Sequence, residues 1–178
     1  DLVDVAKVVS GTAFACALSA SGALSCWGAQ SGWTEPVPSS GLSAVTASSE
    51  TLCVLAEDGR ASCWDRSRGH MLDVSKAVGV SAAAGFACAV KLDGGVRCAG
   101  RSVPPALRQG RFAVGAVSHM SFGSRECFVD DRGAFCGQTI GGADWGQPGR
   151  WKTVIASRDA GGACAVDVEG RVSCLGML

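Results

Sequence analysis

The sequence predicts an all-β fold, a five-bladed β-propeller with one disulfide in each blade, and three observations predict it. The ten cysteines fall in five pairs, Cys16/Cys26, Cys53/Cys63, Cys88/Cys98, Cys127/Cys136 and Cys164/Cys174, whose first members recur at steps of 37, 35, 39 and 37 residues. A period of that size marks a propeller, solenoid or array. A glycine stands six positions after each first cysteine (Gly22, Gly59, Gly94, Gly133, Gly170), and an aliphatic residue stands two positions after it (Leu18, Leu55, Val90, Val129, Val166). Finally, the segments around each pair are short runs bounded by turn residues, with no helical period, as strands are.

Each unit reads as strand, turn, strand. Phe14-Ala-Cys-Ala-Leu18 alternates, Ser19-Ala-Ser-Gly22 turns, and Ala23-Leu-Ser-Cys-Trp27 alternates again. The glycine supplies the positive φ that a short hairpin loop requires. With the turn centred near Ser21, Cys16 and Cys26 lie directly opposite each other, about 4.5 Å apart between Cα atoms and within reach of a disulfide. The hairpins cover 14–28, 51–65, 86–100, 125–137 and 162–176. In the fourth, the cysteines are one residue closer, so its turn or pairing must differ. A further strand is expected upstream of each hairpin, at Val5–Val9, Leu42–Val45, Ala77–Val80, Ala113–Val117 and Trp151–Ile155. Connectors rich in Gly, Pro and Ser, such as 30–41, complete each repeat of about 36 residues, and 1–178 forms a single repeat domain. Blades of this length favour the propeller over a β-solenoid. Closure as a five-bladed ring is expected, with residues 1–5 completing the last blade; five repeats of a larger ring are the alternative.

Composition narrows the function. The 178 residues carry 16 basic and 16 acidic side chains, and 47% are hydrophobic. That balance argues against a disordered chain and against a nucleic-acid binder. No apolar run approaches the roughly 18 residues of a membrane span. Paired cysteines at this density place the chain outside the cell or in another oxidising lumen.

Cys26-Trp27-Gly28, the following Pro36-Val-Pro-Ser-Ser-Gly-Leu-Ser-Ala-Val45, the next Cys53-Val-Leu55 and Asp58-Gly59 together resemble the regulator-of-chromosome-condensation repeat family. The style is that of its short-repeat members, the propeller-type β-lactamase inhibitory protein and the ectodomains of plant crinkly-type receptor kinases. The resemblance spans the chain and is clearest in the first two repeats; later, Ala99, Gly137 and Leu175 stand where Trp27 and Trp64 stand. It implies a propeller that binds other proteins through loops on one rim. A chromatin role does not fit the zero net charge or the cysteines.

Candidate chemistry is sparse. His70 is expected in a solvated loop, and His119 in a strand at the position of Val8, Val45 and Val80. The cysteine spacing is too wide for the usual zinc ligand pairs. The acidic turns (Glu57-Asp58-Gly59, Asp93-Gly94, Asp130-Asp131, Asp167-Val-Glu169-Gly170) are read as turn chemistry rather than calcium loops. Neither a cofactor nor catalysis is expected. Charge is uneven: residues 1–59 balance at −5 and the remainder at +5. Between Asp93 and Glu126 no acid interrupts Arg97, Arg101, Arg108, Arg111 and Arg125, a basic sector suited to an acidic protein partner. Phe14 and Phe86 are expected in the core, and Trp27 and Trp64 between blades. Trp33 and Trp145 lie in connectors and are the preferred contact residues. The reading is a non-catalytic protein-binding module. A secreted inhibitor of a hydrolase is the alternative, on the resemblance, and a carbohydrate-binding lectin ranks third, because no connector aromatic recurs in all five repeats.

Overall fold

A computed structural model describes residues 2–28, 33, 36–104, 107, 119–122, 126–137, 145–156 and 162–175. These residues form five separate sheets of three or four strands, each strand bonded to its neighbour in the chain. Sheet one comprises β1 (Val5–Ser10), β2 (Ala15–Ser19) and β3 (Leu24–Trp27). Sheet two comprises β4 (Leu42–Ser48), β5 (Thr51–Ala56), β6 (Ala61–Asp65) and β7 (Gly69–Val74). Sheet three holds β8 (Ala77–Ala83), β9 (Phe86–Lys91) and β10 (Val96–Gly100). In sheet four run β11 (His119–Phe122), β12 (Glu126–Val129), β13 (Gly133–Gly137) and β14 (Trp145–Pro148). Sheet five runs from β15 (Trp151–Ala156) through β16 (Ala163–Asp167) to β17 (Val172–Leu175). Two compact units divide the chain, 1–89 with 98–103 and 90–97 with 104–178.

All five disulfides join the expected pairs, with Cα atoms 4.0 to 4.2 Å apart. In sheets one, two, four and five the two cysteines are directly opposed across the hairpin. In sheet three, Cys88 on β9 is bridged to Cys98 on β10, with Cα atoms 4.1 Å apart. The two ends of that bridge differ in cover: Cys88 is buried, whereas Cys98 is half-buried, because β10 is the outer strand of its sheet. Side chains alternate between faces along a strand. Each sheet with directly opposed cysteines therefore has a face that carries the disulfide and an opposite face of Val, Ala or other residues flanking the cysteines.

These two faces pack by one rule. In the first unit, Cys16, Leu18 and Leu24 on the disulfide face of sheet one meet Val45, Leu52, Val54 and Trp64 on the opposite face of sheet two. The disulfide face of sheet two, with Cys53, Leu55, Ala61 and Cys63, meets Ala87 and Ala89 of sheet three. In the second unit, Cys127, Val129, Ala134 and Cys136 of sheet four meet Val154, Ala163 and Ala165 of sheet five. Phe14 and Phe86 are buried as expected. Backbone bonds reinforce the packing in the first unit: the carbonyls of turn residues Gly22 and Gly59 accept the N–H of Leu42 and Ala77, which begin the next sheet.

Several expectations change. The first strands of sheets one, two and five share a bulge at one repeat position, with register shifts between Val5 and Lys7, Leu42 and Ala44, and Trp151 and Thr153. A bulge adds a residue without changing composition, so the apolar pattern gave no sign of it. Val5 pairs with Ser19 inside sheet one, so the strand to which residues 1–5 lead belongs to that sheet. The expected strand at 113–117 lies outside the described residues; the strand paired to β12 begins at His119. There Met120, opposite Phe128, holds the place of Val8, Val45 and Val154, and His119 is one position off.

The fourth hairpin is shorter, and its glycine serves another purpose. Gly22, Gly59, Gly94 and Gly170 have φ between 77° and 87°, as a hairpin turn demands, whereas Gly133 is not in the left-handed region. A Cβ on Gly133 would lie 2.2 Å from the Gln147 carbonyl oxygen, so β14 can pair only with a residue that has no side chain. Gly170 has open space around its Cβ position. Gly133→Ala should therefore lower the urea midpoint more than Gly170→Ala, whose cost is backbone strain of about 1 kcal/mol. The opposite order would contradict the steric assignment. Leu52→Ala, which empties a fully buried site, should cost about 2–5 kcal/mol in the same assay.

Candidate interaction surfaces

The hairpin turns show first what the acidic residues do. In four repeats the backbone N–H seven positions after the first cysteine is held by a side chain within the turn. Ser19 Oγ accepts from Ala23, and Asp167 Oδ1 from Arg171; these acceptors lie three positions after the cysteine. Asp58 Oδ1 accepts from Arg60, and Asp93 Oδ1 from Gly95; these lie five positions after it. One donor is thus satisfied from either of two places in the loop. In the shortened fourth turn, Asp130 Oδ1 takes the N–H groups of Arg132 and Gly133. These carboxylates are occupied by turn donors, and among the described residues no three His, Cys, Asp or Glu side chains converge as a metal site.

Basic neighbours complete the turns. Arg132 pairs with the buried Asp130 at 2.6 Å, and Arg171 with Asp167 at 2.7 Å. Arg60 pairs with Asp73, and Lys91 with Asp93. Hydrogen bonding from Arg60 holds the Asp73 carboxyl below the usual carboxylate range. Arg171 and then the turn N–H groups do the same for Asp167, and Lys91 with the Gly95 N–H for Asp93.

The expected contact residues do not form one site. Arg97 is exposed on β10, beside the half-buried Cys98. Arg101 is also exposed but lies 3.9 Å from the buried Asp65. Arg108, Arg111 and Arg125 lie outside the described residues. Trp145 begins β14, opposite Cys136, and is a strand residue rather than a connector residue. Trp33 is half-buried; its ring meets Phe14 edge-on at 5.1 Å, so it packs on the core more than a free connector aromatic would. His70 is exposed but sits in β7 rather than a loop, with its ring edge-on to Trp64 at 5.5 Å. The equivalent tryptophans diverge: Trp64 is 4% exposed between sheets one and two, whereas Trp27 is 43% exposed. Sheet two has a sheet packed on that face, which the sequence around Trp27 could not distinguish.

Trp33 nonetheless helps to form the main concave surface of sheet one. A cavity of about 410 Å³ is lined by Leu24, Cys26, Trp33, Pro36, Val37, Pro38 and Ser39. The prolines fix the connector backbone near φ −65° and remove its donors, which leaves an apolar wall. None of these lining side chains titrates, since Cys26 is in a disulfide. A second cavity of about 280 Å³, in sheet five, is lined by Pro148, Gly149, Arg150, Trp151, Asp167, Val168, Glu169 and Arg171. Reading from sequence named Trp33 but missed its proline partners, whose signal was the Pro-Val-Pro run itself. No helix among the described residues is long and apolar enough to cross a membrane.

No family model and no curated protein matches the chain. Solved structures do. Human WBSCR16 is similar over 97% of this chain and 61% of its own, with a TM-score of 0.68 at 14% identity. Hsv2 of Kluyveromyces lactis is similar over 99% and 63%, with a TM-score of 0.63 at 11% identity. The CRINKLY WD40 ectodomain of the Arabidopsis thaliana receptor kinase ACR4 is similar over 97% and 79%, with a TM-score of 0.52 at 18% identity. The chain thus spans about three fifths of the length of WBSCR16 and of Hsv2. At these identities the likeness is one of fold, and it supports a repeat propeller.

The paired turn carboxylates set a pH dependence. The folded pKa values of Asp73, Asp93 and Asp167 lie below the unfolded value of about 3.9, so the unfolded chain binds more protons between the two values. Their stabilisation is present above about pH 4 and is lost as pH falls through the folded values. The urea midpoint should be flat from pH 7 to about 5 and fall below about pH 4. Asp167→Asn should remove part of that fall, while Asp93, largely in solvent, contributes less. A midpoint that rises on acidification would contradict these pairings.

Proposed function

We propose that the chain is a non-catalytic protein-binding module of an oxidising compartment. The observation that carries this reading is the concave surface of Trp33, Pro36, Val37, Pro38 and Ser39 over Leu24 and Cys26: it is mainly apolar, of ligand-site size, and among the described residues its wall holds no acid, base or thiolate. Such a surface suits the capture of an apolar anchor. Five disulfides, with no free cysteine among the described residues, support an extracellular or lumenal setting. The similar Arabidopsis structure is itself the ectodomain of a receptor kinase, and a receptor or secreted role is the same class of use.

The basic stretch from Arg97 to Arg125 is the second part of the proposal. Its charge would speed the approach of an acidic protein more than it would tighten the final complex. Arg101, beside Asp65, is the least suitable member for a test.

The test uses the intact oxidised protein as bait, with crosslinking and mass spectrometry to identify the captured partner. Val37→Arg should weaken that partner's binding at least about tenfold, the loss expected of one anchor worth about 1.4 kcal/mol, measured well below the variant's own thermal midpoint because Val37 also packs on the core. Arg97→Glu with Arg108→Glu should slow association at low salt and leave dissociation nearly unchanged. Unaltered affinity in Val37→Arg would overturn the groove, and unaltered association in the double variant would overturn the basic sector.

A further inference from the structure

Three sheet pairs bury a disulfide face against the opposite face of the next sheet, and among the described residues the disulfide face of sheet five and the opposite face of sheet one carry large exposed apolar side chains. On sheet five, the disulfide face presents Ile155, 63% exposed, and Val172, 65% exposed, beside the Cys164–Cys174 bridge. Cys164 and Cys174 are both exposed, whereas Cys26 and Cys98 are half-buried and the other six cysteines are buried. On sheet one, the face opposite the disulfide presents Val8, 59% exposed, and Trp27, 43% exposed, around the half-buried Ala15 and the buried Ala17. Exposed valine, isoleucine and tryptophan grouped on a sheet face are the signature of an interaction surface.

The residues of these two faces match an interface that the chain already makes. Sheet five inserts Val154, Ala163 and Ala165 against Cys127, Val129, Ala134 and Cys136 of sheet four. At the same repeat positions, sheet one carries Val8, Ala15 and Ala17, the same three residue types. The receiving positions Cys127, Val129, Ala134 and Cys136 become Cys164, Val166, Val172 and Cys174 on sheet five. The open face of sheet one is therefore a copy of the face that docks on sheet four, and the open face of sheet five is a near copy of its receptor.

We propose that the disulfide face of sheet five binds the Val8–Ala15–Ala17 face of sheet one of a second copy of this chain. The contact continues the internal packing rule across two molecules and joins unlike surfaces, so it is heterologous, head to tail. It buries the exposed side chains of Val8, Trp27, Ile155 and Val172, and it covers the one bridge whose two cysteines are both exposed. It is separate from the groove at Trp33, which lies on the other side of sheet one's disulfide pair.

The experiment is sedimentation velocity on the oxidised chain over a wide concentration range, together with the rate at which a mild phosphine reductant opens Cys164–Cys174, read by alkylation and mass mapping. The mean mass should rise with concentration, and by mass action the reduction rate of that one bridge should fall by roughly tenfold across the range. Val8→Arg and Val172→Arg alter exposed positions and should each abolish both effects without lowering the thermal midpoint. Mixed together, they should restore a two-copy species and nothing larger, because one intact face of each kind remains. A monomer at every concentration overturns the proposal, whether the bridge is open or shielded; shielding that is lost in monomeric Val8→Arg would instead mean that the chain covers its own face. Association that survives both substitutions would also overturn it.

Discussion

Everything in the repeat depends on two cysteines facing each other across a hairpin. A slip of one residue in a strand would turn every side chain to the wrong face, and a covalent bond between directly opposed positions forbids that slip. With Cys16 opposite Cys26, Leu18 and Leu24 must share the disulfide face, and Ala15, Ala17 and Trp27 the other. The same holds for Cys53 with Cys63, where Leu55 and Ala61 fall on one side and Leu52, Val54 and Trp64 on the other. The core is then a stack of two surface types, a sulfur-bearing face and a face of small or branched aliphatics.

Much of this was legible because the period is 2 within a strand and nearly constant between repeats. Cysteine spacing alone located the hairpins and their bridges, and the Asp and Ser residues of the turns did the local hydrogen bonding expected of them. What escaped depends on neighbours rather than on local pattern. Gly133 looks like the other turn glycines, yet it is required by the backbone of β14 passing 2.2 Å from where a Cβ would stand. Trp27 and Trp64 follow equivalent cysteines, and only the presence of a packed sheet separates the exposed one from the buried one. Cys63 and Cys98 are likewise equivalent in spacing, but β7 flanks the outer side of the first one's strand, whereas among the described residues no fourth strand flanks the outer side of β10. The bulges in β1, β4 and β15 leave no compositional trace, because an unpaired residue in a strand is an ordinary residue.

The candidate site was less legible than the fold. Trp33 was singled out as a contact residue by type and connector position, and the structure instead gives it two roles, packing on Phe14 and walling a groove. The Pro36–Pro38 run belongs to the connector 30–41, and a rigid connector that returns to its own sheet makes a cleft as readily as a spacer. Basic side chains were grouped by their nearness in sequence, but Arg101 is committed in part to Asp65. A one-dimensional charge run carries no record of which members already have a local acid.

The shortness of each bridged loop bears on how the chain would mature. Partners within a hairpin are 9 or 10 residues apart, whereas the second cysteine of the first hairpin is 27 residues from the first cysteine of the next. Closure entropy grows with separation, so the local encounter is the more frequent one. In a nascent chain entering an oxidising lumen, each hairpin could be sealed before its successor has arrived. The order of synthesis would then guard against mispaired sulfur, and the later docking of sheets would act on finished pieces.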